Sequence, residues 1–166
     1  YAYDLTTAPS YYNFGDYTYS NFDGNNKYVY YQEGIYVGYR YYETAAADGY
    51  IDYDTTVQFP FGYGLSYTNF DWEVEKTELG DIGGTINIDV KVTNTGDVAG
   101  KDVVELYYAA PYDPAEEIEK SSVVLGAFEK TNTLKPGESE TVTLTMNVDD
   151  MASYDYKNNK CYVLSA

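Results

Sequence analysis

Apolar and polar residues alternate strictly over Thr85-Ile86-Asn87-Ile88-Asp89-Val90-Lys91-Val92-Thr93. Side chains of an extended chain point to opposite faces in turn, so this stretch predicts a strand with one buried and one wet face. The same alternation returns over Thr141-Val142-Thr143-Leu144-Thr145-Met146-Asn147-Val148. Between them, Asp102 to Ala109 predicts a more fully buried strand and Val123 to Lys130 another, while Phe70 to Glu75 and Lys160 to Leu164 bring the number to six. Asn94-Thr95-Gly96-Asp97 and Lys135-Pro136-Gly137-Glu138 supply turns. Strands at this spacing predict a β-sandwich, and since such sandwiches usually have seven strands, the expectation is that one is missing: either the last strand is cut off or the open edge is paired elsewhere.

The first 68 residues read differently. Turn formers interrupt them at Phe14-Gly15-Asp16 and Asp23-Gly24-Asn25-Asn26, and no apolar stripe of helical period is visible. The expectation is loop and strand, with the best strand over Lys27 to Glu43 and a short helical step at Ala45-Ala46-Ala47. Residues 1–68 and 69–166 are therefore read as two unlike parts.

Composition sharpens that division. Residues 1–70 hold 17 of the 23 tyrosines but only Lys27 and Arg40 of the ten basic residues. The formal charge of −17 argues against nucleic acid and anionic membrane as partners, since both require a cationic surface. With no histidine, the chain can build neither a Ser-His-Asp triad nor a Cys-His pair nor a histidine metal site. Cys161 is the only cysteine and reads as an ordinary thiol. No run of 18 apolar residues occurs, and Tyr1 to Ser10 lacks the pattern of a signal peptide and an initiator methionine. The chain is taken as a processed product or a segment of something longer.

Two blocks carry a specific resemblance. Tyr31-Gln32-Glu33-Gly34-Ile35-Tyr36-Val37-Gly38-Tyr39-Arg40-Tyr41-Tyr42 and Phe59-Pro60-Phe61-Gly62-Tyr63-Gly64-Leu65-Ser66-Tyr67-Thr68 resemble the C-terminal region of glycoside hydrolase family 3, the β-glucosidase family. Asn94-Thr95-Gly96, Val104-Glu105-Leu106-Tyr107, Gly126-Ala127-Phe128-Glu129-Lys130, Leu134-Lys135-Pro136-Gly137-Glu138 and Ser153-Tyr154-Asp155 are similar to the fibronectin type III-like domain that ends many of those enzymes. The resemblance implies a mainly β, fibronectin type III-like (immunoglobulin-like) sandwich over 69–166. Residues 1–68 would be the Tyr-rich tail of an α/β sandwich domain and an interdomain clasp. It also implies a parent enzyme that hydrolyses terminal β-glucosyl residues with retention, its nucleophile and acid/base lying in catalytic domains before this segment.

No catalytic residue is therefore expected here. Asp71-Trp72 invites comparison with the family's Ser-Asp-Trp nucleophile signature, but it opens the sandwich instead of ending a barrel strand. Glu33 and Glu43 would stand roughly 33 Å apart along an extended strand, too far for a retaining pair unless the chain folds back at Gly34 or Gly38. Glu33 is read instead as a structural ion pair with Arg40. Trp72, Tyr36, Tyr39 and Tyr63 are the candidate carbohydrate-stacking residues, with packing as the competing role for any tyrosine. Asp48, Asp52 and Asp54 miss the EF-hand spacing and lack its closing glutamate, so no metal is expected, nor any cofactor. The glycines near Pro60 lack the Lys-Ser/Thr of a phosphate loop.

The leading reading is a non-catalytic C-terminal portion of a family 3 β-glucosidase that packs against the missing catalytic domains and borders the substrate entrance. The alternatives are a stand-alone carbohydrate-binding module for β-glucan oligosaccharides and a structural surface or filament protein. An extracellular or cell-surface bacterial setting is expected.

Overall fold

A computed structural model describes residues 1–11, 14–17, 26–29 and 31–165. The chain divides into two units, Tyr1–Phe61 and Gly62–Ala166. The expected boundary lay a few residues later, after Thr68.

The first unit contains β1 (Phe14–Tyr17) paired antiparallel with β2 (Asn26–Val29), then α1 (Tyr39–Ala47) and the single turn α2 (Tyr53–Thr56). Phe14-Gly15-Asp16 thus belongs to a strand and not to a turn. Residues 23–25 of the second expected turn lie outside the described residues. The long strand expected over Lys27 to Glu43 is replaced by a short strand, a turn and a helix. Gly38, at φ 61°, reverses the chain just before α1, and Gly49, at φ 77°, ends it. The N–H of Tyr50 and of Gly49 satisfy the Ala45 and Ala46 carbonyls at 2.8 and 3.0 Å. Arg40, Glu43 and three consecutive alanines favour the helix strongly enough to carry four poorer helix formers, Tyr39, Tyr41, Tyr42 and Thr44. The start of the chain is tied to the end of the unit: Ala2 bridges Val57, and the Tyr1 amine donates to the Phe59 carbonyl at 2.6 Å.

The second unit is a β-sandwich. β3 (Phe70–Glu78), β4 (Thr85–Asn94) and β7 (Ser139–Asn147) form one antiparallel sheet in that order. β5 (Val103–Tyr108) pairs with β6 (Val124–Lys130), and β8 (Ser153–Asp155) with β9 (Cys161–Val163). The alternation in β4 and β7 does what it predicts. Val90 and Val92 on β4 and Val142 and Leu144 on β7 turn inward and meet Val104 and Leu134, with Phe70, Ile88, Leu106 and Ala127 packed around them. Each such aliphatic chain removed from water is worth about 1.5–3 kcal/mol, which makes this cluster the main stabilising term of the unit. On the outer face the polar positions pair across the strands, with Thr143 donating to Asp89 at 2.6 Å and Thr145 to Asn87 at 2.8 Å.

β8 is the strand that periodicity did not reveal. It has three residues, and the one it buries is a carboxylate, Asp155, so no apolar alternation marks it. With it the second unit holds seven strands among its described residues, and the six read from the sequence were one too few.

Candidate functional site

The described side chains of the first unit are mostly exposed or half-buried. Among its residues whose side chains are described, Ala45 alone is fully buried. Large rings stand in solvent instead: Tyr1 is 89% exposed, Tyr50 82% and Tyr31 74%, with Tyr3, Val37 and Phe61 also exposed. The other aromatics hold the unit together locally. The ring of Tyr39 lies 4.6 Å from that of Phe61, Tyr41 meets Tyr42 edge-on at 5.2 Å, and the hydroxyls of Tyr42 and Thr7 are 3.2 Å apart.

Both glutamates considered for catalysis have structural partners. The Ser10 hydroxyl donates to Glu33, and this bond holds the Glu33 carboxyl below the usual glutamate range. Among the described residues no ion pair joins Glu33 to Arg40, so the expected pair is not formed. The turn from Gly34 to Gly38 separates the two residues, and the Arg40 guanidinium lies 6.0 Å from the centre of the Tyr39 ring. Glu43 accepts the Tyr53 hydroxyl at 2.5 Å. Burial, then that bond and the Glu43 charge, push Tyr53 up to about 12. A general acid needs a carboxyl pushed upward. Every described carboxyl with a resolved shift, namely Asp4, Glu33, Glu116 and Asp155, moves downward.

The four candidate stacking residues fall in different settings. Tyr36 and Tyr39 are half-buried in the first unit, whereas Tyr63 and Trp72 are about half exposed in the second. Tyr63 follows Gly62, which passes so close to Glu105 that an added Cβ would sit 2.3 Å from its carboxylate. Glu105 in turn accepts the Tyr107 hydroxyl at 2.7 Å. Trp72 points to the core side of edge strand β3, and its Nε1 donates to Asp102 Oδ2 at 2.7 Å. Asp102 Oδ1 accepts from the Val103 N–H. The indole is thereby strapped from one sheet to the start of the other. Asp71 lies on exposed sheet surface. Asp52 caps α2 by accepting from the Thr55 N–H at 3.0 Å.

Two buried polar groups organise the far end of the sandwich. Asp155 accepts the backbone N–H of Lys157, Asn158 and Asn159 and the side-chain amide of Asn159, all within 3.1 Å, and these donors, the Asn158 and Asn159 backbone first, hold its carboxyl below the usual aspartate range. Lys120, with a side chain only 2% exposed, donates to the Pro111 carbonyl at 2.5 Å, to Ser165 at 2.7 Å and to Glu116 at 2.8 Å. Neither role was legible in the sequence. Asp155 stood inside a recognised motif without a stated partner, and a lone lysine beside Glu119 looks like any surface charge.

Residues 102–165 match the model of the fibronectin type III-like domain. The chain is 44% identical over 147 residues to β-glucosidase A of Butyrivibrio fibrisolvens, covering 81% of this chain and 17% of that protein. It is 42% identical to a β-glucosidase of Ruminococcus albus over 93% of this chain and 14% of that protein. A solved β-glucosidase from Paenibacillus barengoltzii superposes on all of this chain, at a TM-score of 0.81 and 42% identity, through 17% of its own length. This chain belongs to glycoside hydrolase family 3, as its fibronectin type III-like C-terminal region. Fungal as well as bacterial relatives share it, among them a protein of Emericella nidulans.

Within this family 3 region the motifs have physical jobs. Asn94-Thr95-Gly96 builds a buried polar knot with Thr68. Lys135-Pro136-Gly137-Glu138 turns the chain at Gly137, φ 78°, with the Glu138 carboxylate accepting from the Lys135 N–H at 2.8 Å. Ser153-Tyr154-Asp155 is β8 itself.

Proposed function

We propose that this chain is the non-catalytic C-terminal portion of a β-glucosidase, the parent enzyme releasing terminal β-glucosyl residues from oligosaccharides. The first unit seats its exposed aromatics on the preceding catalytic domains, and the sandwich that follows it in sequence stabilises that assembly and borders the substrate entrance. The observation that carries this reading is that, among the first unit's described side chains, only Ala45 is buried while several large rings are exposed. Exposed apolar patches beyond a few hundred Å² are rare on soluble monomers and mark surfaces made to be covered. Tyrosine suits such a surface, since it combines a large apolar body with a hydroxyl that can find a partner.

The acidic composition accords with an extracellular or cell-surface setting, which is part of the proposal. Incubation of the purified chain with an aryl β-glucoside tests it: no turnover is expected, and turnover that co-purifies with the chain would overturn the assignment.

A further inference from the structure

The two sheets of the sandwich do not match in width. β3, β4 and β7 lie side by side, while β5 pairs with β6 alone. Gly126 of β6 packs on Met146 of β7, so close that an added Cβ would sit 2.1 Å from its sulfur. The narrow sheet therefore covers the β7 side of the wide one. On the other side, Trp72 Nε1 reaches Asp102, the residue before β5, and among the described residues no strand runs beside β5 there. Directly paired residues of an antiparallel sheet lie on one face. Trp72 pairs with Val92 and Val74 with Val90, so all four look toward the core, yet Val92 and Val90 are 0% and 4% exposed while Trp72 and Val74 are 54% and 63%. Burial stops where the second layer stops.

An open strand edge beside an uncovered apolar face is the arrangement that accepts one more strand. Backbone N–H and C=O groups supply the pairing, and every second side chain of the incoming strand turns toward the core. A strand added beside β3 would leave Trp72 and Val74 uncovered, so β5 is the edge it takes. A second copy of the chain is a poor occupant, since each copy carries a charge of −17. The matched β-glucosidases, in contrast, extend far beyond the part that is similar to this chain. We propose that an extended segment of the parent polypeptide, outside these 166 residues, pairs with the open edge of β5 and lays apolar side chains at alternate positions over Trp72 and Val74. That the strand belongs to the parent enzyme rests on the function proposed above; the open edge does not.

Amide hydrogen exchange, read on peptides that cover Val103–Tyr108, tests this by comparing the 166-residue chain with the longer native polypeptide that contains it. Exchange of β5 is expected to slow about tenfold or more in the longer polypeptide. Val74→Lys separates the two states. In the 166-residue chain, where this side chain is wet, the melting temperature should stay within about 2 °C, whereas in the longer polypeptide the added β5 protection should be lost. Equal exchange in the two proteins, or β5 protection in the longer one that Val74→Lys leaves intact, would overturn the proposal. Protection in the 166-residue chain that rises with its concentration would overturn it too, by making a second copy the occupant. Hydrolysis of an aryl β-glucoside by the longer polypeptide reports separately on the parent's function. Protection of β5 without turnover would support the strand and count against a β-glucosidase parent, and turnover without protection would do the reverse.

Discussion

The Thr68 hydroxyl donates to the Asn94 side-chain carbonyl at 2.7 Å, and both residues are buried. Asn94 is saturated: the same oxygen accepts from the Gly96 N–H at 3.0 Å, and its amide donates to the carbonyls of Val98 and Leu134, each at 2.8 Å. One side chain thus joins the entry to β3, the turn after β4 and the approach to β7. Asn94→Ala would remove four hydrogen bonds, among them the buried one to the Thr68 hydroxyl, and is expected to cost about 3 kcal/mol, against about 1 kcal/mol for Thr68→Val. Gly96→Ala should also destabilise, since its Cβ would fall 2.2 Å from the Thr68 hydroxyl and 2.8 Å from the Asn69 nitrogen. Urea unfolding followed by the fluorescence of Trp72, the only tryptophan, checks all three.

Acid should loosen the far end of the sandwich first. The bond from Lys120, then that from Ser165, hold Glu116 below its ordinary value of 4.5, and backbone donors hold Asp155 below 3.8. A carboxyl whose pKa is lower in the folded state stabilises fully above its unfolded value, and the contribution is lost as pH falls through the folded one. Melting temperature should therefore be level above about pH 5 and fall below it. Glu116→Gln should lower it at neutral pH and flatten that acid decline.

Trp72 is a strap before it is anything else. Asp102→Ala would free the indole, and the expected result is a red-shifted, more quenchable emission with a loss of about 1 kcal/mol. An unchanged spectrum would mean that the Asp102 bond does not hold the ring.

The sandwich was legible because its long strands alternate. Ile88, Val90 and Val92, and likewise Val142, Leu144 and Met146, can face one core only in one register. β8 was not, because burying Asp155 against backbone donors leaves no apolar signature. Of helix α1 only the last step, Ala45-Ala46-Ala47, was legible, for a related reason: the tyrosines before it prefer strands, and what decides the helix's start and end are Gly38 and Gly49 at positive φ. Glu33 and Arg40 looked like a pair in sequence, yet the Ser10 hydroxyl, 23 residues away in sequence, takes the carboxylate.

Amide hydrogen exchange of the full chain tests most directly whether the first unit lacks a core of its own. The account predicts slow exchange across β4 and β7 and fast exchange throughout α1 and the rest of Tyr1–Phe61. Protection of α1 equal to that of β4 in the isolated chain would contradict it, since the exposed tyrosines would then need no catalytic domain to cover them.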